Sequence, residues 1–518
     1  MEIRSNANSS QNNVSLAITT LKAKVRQRRF LIGAQIFLII GGLVIRWPST
    51  VSDAMWGGVH LFRQTHVTFM IREYMSDFFQ LSPLPIFGPP WQLPLEFPLF
   101  EWVAALGGQA FGLSPLIAGR LLALICFETC GVLAAYLALR WFSVSASITT
   151  MILFQFLPFG FQWGNAPLIE FLAVAGVMVA IVAADTWKNH RQRLWLAIAS
   201  LGMLVAFLVK PPTAIAWLPA YCAVAAAWTQ KGFVRSNLER SRLLIPPVLG
   251  LAAAFIWTRY ADSVKAANPF TAYQTSSKLT EWNFGTAAQR LEFKTWQTVF
   301  GYSSAIIGFW PFFIALLVFG LYVWSRRPEL IGLSITLLIG PLIFFNLYYR
   351  HSYYQCAIYP ALVIVMGAGV GALIRLASSG EKLSSGGTPL LKALLVAQMS
   401  VAIALITAWK SPAGTEISAR QFVGPRDIPI ANEIAATPQG SGVILVGCDW
   451  DPRYLYFGGR RGLMIPAWYG TNTKVPAEWI GPDLQYLGIC AGSLDPSTLF
   501  PDGTRFERIS ESIYRLTR

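Results

Sequence analysis

Long apolar runs alternate with short basic loops along most of the chain, a pattern that predicts a bundle of membrane-crossing helices. Runs of about twenty residues with almost no charge are long enough to span a bilayer. They fall near 30–45, 117–140, 145–161, 167–185, 194–209, 213–229, 243–259, 304–324, 329–347, 354–376 and 390–409. About eleven spans are therefore expected. Lysine and arginine concentrate in the loops Lys22 to Arg29, Lys188 to Arg193, Lys231 to Arg242 and Arg326-Arg327, which alternate with poorer ones. That bias places the N-terminus in the cytoplasm and the C-terminal tail outside.

The departures from this pattern divide the chain. Residues 1–28 are polar and then basic, which reads as a disordered cytoplasmic tail. A transmembrane region covers 29–410, and its first outer loop, 48–114, is neither linker nor span. Within that loop, segments around 62–80 and 97–111 read as amphipathic helices lying in the interface. Thr286 to Trp296, in a second long outer loop (259–302), reads the same way. Ser378 to Thr388, rich in glycine and serine, reads as a flexible cytoplasmic linker. From about Thr415 the composition becomes that of a soluble domain. A helix over Asp427–Ala436 and buried strands over Gly442–Gly447 and Gln485–Cys490 predict a small extracytoplasmic α/β domain over 415–518.

Composition agrees with a polytopic α-helical membrane protein. The 518 residues are 54% hydrophobic and only 13% charged, against roughly 25% charged in soluble domains. A net charge of +15 would suit nucleic acid, but the basic residues are accounted for by the loop bias, so no nucleic-acid partner is expected. No cleavable signal follows the first span. Cys126, Cys130, Cys222 and Cys356 lie in or at spans as packing residues. Cys448 and Cys490, alone in the tail, permit a disulfide; two free thiols are the alternative.

The polar residues that stand out share one level. Asp53, His60, Arg63, Glu96, Arg120, Glu170, Lys210, Arg259, Arg350 and His351 all fall at outer ends of spans or in outer loops. Lys210 precedes Pro211-Pro212, which breaks the helix, and could be a snorkelling lysine. The tyrosines around His351 could form an aromatic belt. Arg63 and Arg120 could pair with carboxylates purely for structure. Glu170 heads an apolar helix, where an acid needs a partner or water. Together, carboxylates with arginine and lysine suit sugar transfer from a polyprenyl phosphate. The phosphate is already a good leaving group and needs fixed positive charge. The acceptor hydroxyl needs a carboxylate base, and one-step displacement inverts the anomeric centre.

The motifs His60-Leu-Phe-Arg63-Gln64-Thr65, Gly88-Pro-Pro-Trp91 leading into Glu96-Phe97-Pro98-Leu99, Ala118-Gly119-Arg120, Leu168-Ile169-Glu170 and His351-Ser-Tyr353-Tyr354 together resemble the GT-C superfamily of integral-membrane glycosyltransferases. The resemblance covers roughly 30–410 and is strongest to the branch of the bacterial aminoarabinose transferase and the protein O-mannosyltransferases. The tail phrase Asp449-Trp450, Tyr454, Arg460-Arg461 is similar to bacterial members. The resemblance implies a GT-C transmembrane catalytic domain and an inverting transferase in the bacterial inner membrane. The enzyme would move a sugar from a polyprenyl-phosphate donor to a lipid, glycan or protein of the cell envelope. Glu96 matches the family's Glu-x-Pro element and Glu170 the acid of the second outer loop. The family's first-loop acidic pair would fall near Arg63-Gln64, where no carboxylate stands. The base is therefore sought in the order Glu170, Glu96, Asp53. Donor-phosphate and substrate contacts are expected from His60, Arg63, Gln64, Arg120, Lys210, Arg350, His351 and Tyr354. No cofactor is expected, and no compact metal-ligand cluster occurs in the sequence. The rival readings are a lipid-linked glycan ligase or polymerase and a transporter or flippase of lipid-linked sugar.

Overall fold

Buried among lipid tails, a backbone must satisfy its own polar groups, and helices do so within one segment. The computed structural model describes residues 2–57, 60–230, 241–379, 388–419, 422–449, 451–466, 473–490 and 496–517. The apolar runs become helices in chain order. The first is α1 (Glu2–Thr50), followed by α2 (Leu61–Ser76) and α3 (Leu99–Phe111) in the first outer loop. Then come α4 (Pro115–Trp141), α5 (Val144–Phe156), α6 (Glu170–His190), α7 (Arg193–Val209), α8 (Pro211–Gln230) and α9 (Ile245–Ala267). The series ends with α10 (Trp310–Val323), α11 (Pro328–Ile343), α12 (Tyr359–Ser379) and α13 (Thr388–Trp409). Parts of α1, α4, α6, α12 and α13 are long and apolar enough to cross a bilayer, while α5, α7, α10 and α11 are shorter apolar helices.

Several expected spans end early, each for a local reason. α5 stops at Phe156 because Leu157, ahead of Pro158, is extended with ψ 145°, as the residue before proline prefers. The 304–324 run breaks at Gly308, which has φ 70°. α12 starts only at Tyr359 because Ser352–Ala357 forms a 3₁₀ turn. The 286–296 segment splits into Ala287–Leu291 and Phe293–Tyr302 around an extended Glu292. At the N-terminus α1 is helical from Glu2, and no proline or glycine interrupts it before Gly33. The expected linker at 378–388 and basic loop at 231–242 lie mostly outside the described residues.

Close helix contact depends on small residues. A Cβ on Gly176 of α6 would sit 2.8 Å from the Gly202 carbonyl oxygen of α7, and one on Gly202 would sit 2.4 Å from that of Gly176. The two backbones thus touch directly, as small residues allow in membranes. A buried cation pins the C-terminal end of α1. Arg46 donates to the Gly160 carbonyl at 3.1 Å, the Gln155 amide oxygen at 3.0 Å and the Gln155 carbonyl at 2.6 Å.

The tail is α/β, as expected, but it is not a separate body. Strand β1 (Met55–Trp56) of the first loop pairs antiparallel with β2 (Phe422–Val423) at the start of the tail. After α14 (Pro429–Ala435) come β3 (Val443–Val446), α15 (Arg453–Gly458), β4 (Gly462–Ile465), β5 (Tyr486–Ile489), β6 (Arg505–Arg508) and β7 (Ile513–Thr517). The sheet order is β4-β3-β5-β7-β6, with β4, β3 and β5 parallel and β7 and β6 antiparallel. The central parallel strand Val-Ile-Leu-Val is wholly buried and the edge strand Arg-Phe-Glu-Arg exposed, as coverage of a parallel sheet and charge on an edge require.

The first loop completes this sheet. Gly88 N–H donates to the Gly462 carbonyl at 3.0 Å, Gly462 N–H to Pro85 at 2.9 Å, and Met464 N–H to Ile86 at 2.8 Å. One hydrophobic core contains Val67, Phe69 and Ile71 of α2 together with Val443, Leu445 and Leu463 of the tail. This corrects the reading of α2 as an interfacial helix, since nearly every residue from Leu61 to Tyr74 is buried. It is sandwiched between the membrane helices and the tail. α3 keeps an outward apolar face, with Val103, Leu106 and Phe111 exposed.

Cys448 and Cys490 form a disulfide with Cα atoms 5.1 Å apart, across a sequence separation of 42 residues. In the intact protein neither cysteine should react with an alkylating reagent until reductant is added. Reduction should then destabilise the tail by about 2–4 kcal/mol. Modification of both thiols without reductant would contradict the bridge.

Candidate functional site

Arg63 stands in the first turn of α2 and is buried. Its Nη2 lies 2.8 Å from Glu96 Oε1. Glu96 belongs to no helix or strand; its neighbours hold it. The Trp257 indole of α9 donates to the Leu95 carbonyl at 3.1 Å, and Phe97 N–H donates to the Leu208 carbonyl at 3.2 Å. The second bond draws the segment onto the end of α7, where Lys210 is the C-cap before Pro211. Lys210 Nζ then lies 2.7 Å from Glu96 Oε1 and 3.2 Å from Glu170 Oε1. Lysine at a helix C-terminus and Glu170 as the first residue of α6 both sit at the dipole ends that favour their charge.

The electrostatics follow from this crowding. Burial opposes the charge on Glu96, yet Arg63 and Lys210 hold its carboxyl well below the usual carboxylate range. Burial likewise works against Arg63, but Glu96 at 2.8 Å raises its pKa overall. Burial, with Arg63 and Lys210 adding, depresses His66 to about 3, so its imidazole is neutral. Arg63 Nη1 lies 3.0 Å from His66 Nδ1. Guanidinium can only donate, so Nδ1 accepts and the ring proton sits on Nε2. Glu170 differs from Glu96. It is fully buried and near a cation, yet among the described residues neither of its oxygens has an aligned hydrogen-bond partner. A buried carboxylate left this way is costly, and its lone pairs remain available.

Aromatic rings close one side. The Tyr354 ring centroid is 4.8 Å from Lys210 Nζ; Tyr354 stacks with His351, and Tyr353 packs tilted against both. His60 packs edge-on against Tyr353 at 5.4 Å, and its Nε2 is 2.8 Å from the Ser352 hydroxyl. Beside His60 lies a chamber of about 140 Å³ lined by Gln162, Trp163 and Ser352. It shares Tyr302, Ala413 and Glu416 with an apolar groove of about 750 Å³ walled by Phe293, Phe300 and Trp310.

The structure thus brings together five of the expected residues, Arg63, Glu96, Glu170, Lys210 and Tyr354, with His60 and His351 in the adjoining wall. Four others do not join them. Arg120 is buried but donates to the carbonyls of Ser52 and Ala54, at 2.5 and 2.6 Å. Gln64 donates to the Trp56 carbonyl at 3.0 Å. Both hold the first loop by its backbone, which sequence spacing does not reveal. Asp53 is exposed, and Arg350 is an exposed residue lying over Tyr349. Two participants were not singled out in the sequence, His66 and Glu101. His66 follows Arg63 by one turn of α2 and Glu101 follows Glu96 by five residues across the start of α3, and only burial marks them. Among the described residues no cluster of three His, Cys, Asp or Glu could hold a metal ion.

No family model matches the chain, and no curated protein matches its sequence. Solved structures do share its fold. ArnT from Cupriavidus metallidurans, bound to undecaprenyl phosphate, aligns with 14% identity over 93% of this chain and 97% of its own, at a TM-score of 0.60. The archaeal oligosaccharyltransferase AglB from Archaeoglobus fulgidus, in complex with an inhibitory peptide and a dolichol-phosphate, aligns with 13% identity over 89% of this chain and 69% of its own, at 0.57. The mycobacterial arabinofuranosyltransferase AftD aligns with 12% identity over 89% and 36%, at 0.50. The chain has the GT-C fold and is a multi-pass membrane protein.

Burial pushes the Glu101 carboxyl up from 4.5 to about 7. Between these values the folded protein keeps a proton that the unfolded chain releases, so Glu101 makes stability fall as pH rises through that window. The thermal midpoint of Glu101→Gln should lose this part of the pH dependence. A variant whose pH profile matches that of the parent would remove Glu101 from the buried acidic set.

Proposed function

We propose that the chain is an inverting glycosyltransferase that takes its sugar from a polyprenyl-phosphate donor at the outer face of the bacterial inner membrane. The observation that carries this reading is the buried set Arg63–Glu96–Lys210–Glu170, which joins two cations to a carboxylate with unused lone pairs. The apolar groove and the chamber behind His60 offer room for a lipid tail near this set. ArnT and AglB, which share the fold, were each solved with a polyprenyl-type phosphate. The tail disulfide and the basic loops on the opposite side agree with an extracytoplasmic site.

The division of labour follows from the environments. Arg63 and Lys210 receive the phosphate, and their positive charge stabilises the oxygens as the bond from the anomeric carbon to phosphate breaks. Glu96, held strongly ionised between these two cations, is a poor proton acceptor; it keeps both cations aimed. Glu170 takes the proton from the acceptor hydroxyl as that oxygen attacks the opposite face of the anomeric carbon. The products are the glycosylated acceptor, with inverted anomeric configuration, and polyprenyl phosphate. Tyr354 covers the site beside Lys210 and limits water. The acceptor is a lipid, glycan or protein of the envelope.

The test is release of polyprenyl phosphate by the purified protein from a panel of polyprenyl-phosphate sugars. Glu170→Gln should lower turnover by roughly 10²-fold or more, with donor binding retained. Arg63→Ala and Lys210→Ala should each weaken donor use by roughly 10–100-fold, about 1.5–3 kcal/mol. Full activity of Glu170→Gln, or retention of anomeric configuration in the product, would overturn the assignment.

A further inference from the structure

α2 has a second charged end. Arg72 lies nine residues after Arg63, about 13 Å along the axis, and half a turn round the helix from it. There α2 meets the tail across a cavity of about 460 Å³, lined among others by Arg72, Glu73, Trp91, Gly442, Arg461 and Asp483. The charged groups are organised. Arg461 Nε and Nη2 lie 3.2 and 2.8 Å from Glu73 Oε2, and Arg72 Nε lies 3.5 Å from Glu73 Oε1. Arg72 Nη1 donates to the Tyr456 carbonyl. One buried carboxylate therefore orients two guanidinium groups from two different parts of the chain. The Arg461 side chain remains 45% exposed.

The aromatic wall is a second, independent feature. Trp91 has φ 63°, a left-handed conformation that a bulky side chain rarely adopts and that tends to mark functional positions. It is kept there by Trp91 N–H donating to the Gly88 carbonyl at 2.9 Å and Leu84 N–H donating to the Trp91 carbonyl at 3.0 Å. The result turns a half-buried indole onto the cavity. Opposite, the backbone is bare because a Cβ on Gly442 would collide with the Asp483 carbonyl oxygen.

An indole face, two oriented guanidinium forks and nearby carboxylates form the set of groups that holds a sugar ring. The ring's apolar face lies on the aromatic and its hydroxyls meet planar polar groups. Arg72, Arg460 and Arg461 line the cavity against Glu73 and Asp483, which leaves a net positive charge for an anionic substituent. We propose that this seam is a second saccharide site, separate from the transfer cluster, and that it takes a sugar carrying a carboxylate or phosphate. It does not depend on the transfer chemistry, so either reading can fail while the other stands.

Ligand-observed NMR on the full-length protein in detergent tests this with four probes: glucuronic acid, glucose 1-phosphate, glucose and inorganic phosphate. The two acidic sugars should bind, and their relative affinity identifies the anionic group preferred. Glucose should bind about tenfold more weakly, and inorganic phosphate should not compete. Trp91→Leu should weaken both acidic sugars by about tenfold. Arg461→Gln should erase their advantage over glucose in a protein that still shows a cooperative thermal transition. Glu96→Gln should leave binding intact. Absence of sugar binding, equal binding of glucose, competition by phosphate alone, insensitivity to Arg461→Gln, or loss of binding in Glu96→Gln would each overturn the proposal.

Discussion

Two cations and two carboxylates are brought out of water at one point, and the arrangement stands only because Glu96 is shared between Arg63 and Lys210. Removing one member of a buried ionic set costs about 3–5 kcal/mol, because the remaining charge is left without compensation. That constraint reaches far into the molecule. Glu96 lies on an irregular segment, so its position depends on a backbone bond to the end of α7 and on an indole from α9. Arg63 depends on α2 being covered, and Lys210 on the proline break between α7 and α8. Three stretches distant in sequence therefore converge on the segment that carries this carboxylate.

The cover over α2 comes from the tail. Were the tail an independent domain on a tether, α2 would need an apolar stripe facing the membrane and a polar one facing water. It has neither, because the sheet of the tail takes the first loop as an extra strand at β4 and packs its core against Phe69 and Ile71. The same welding places β1 and β2 side by side, with Trp56 and Phe422 ring centroids 4.3 Å apart. Trp56 in turn accepts from Gln64, the neighbour of Arg63. Motion of the tail would therefore be felt at the first turn of α2.

The contrast between Glu96 and Glu170 shows how one fold distinguishes two carboxylates. Both lie near Lys210, but Glu96 accepts a hydrogen bond from Lys210 and is ion-paired with Arg63 as well, whereas Glu170 faces one cation at 3.2 Å without an aligned hydrogen bond. The two carboxylates thus sit in different environments, one strongly stabilised as an anion and the other with few hydrogen bonds. Glu101 extends the series, since without a close cation its burial favours the neutral acid.

By itself the sequence determined the membrane class, the location of most apolar helices and the α/β character of the tail. Each depends on short-range periodicity or on charge counted loop by loop, and bilayer physics acts on those quantities directly. Glu170 could be singled out for the same reason, as an acid at the head of an apolar helix. Which charges meet was decided only by the tertiary structure. Arg63 and Arg120 look alike in sequence, yet one faces Glu96 and the other ties down the carbonyls of Ser52 and Ala54. Asp53 and Arg350, promising by position, lie exposed on the surface. α2 lost its expected interfacial place because its partner surface lies more than three hundred residues away, in the sheet of the tail. Contacts at that separation leave no local periodicity, so nothing within a window of the sequence records them.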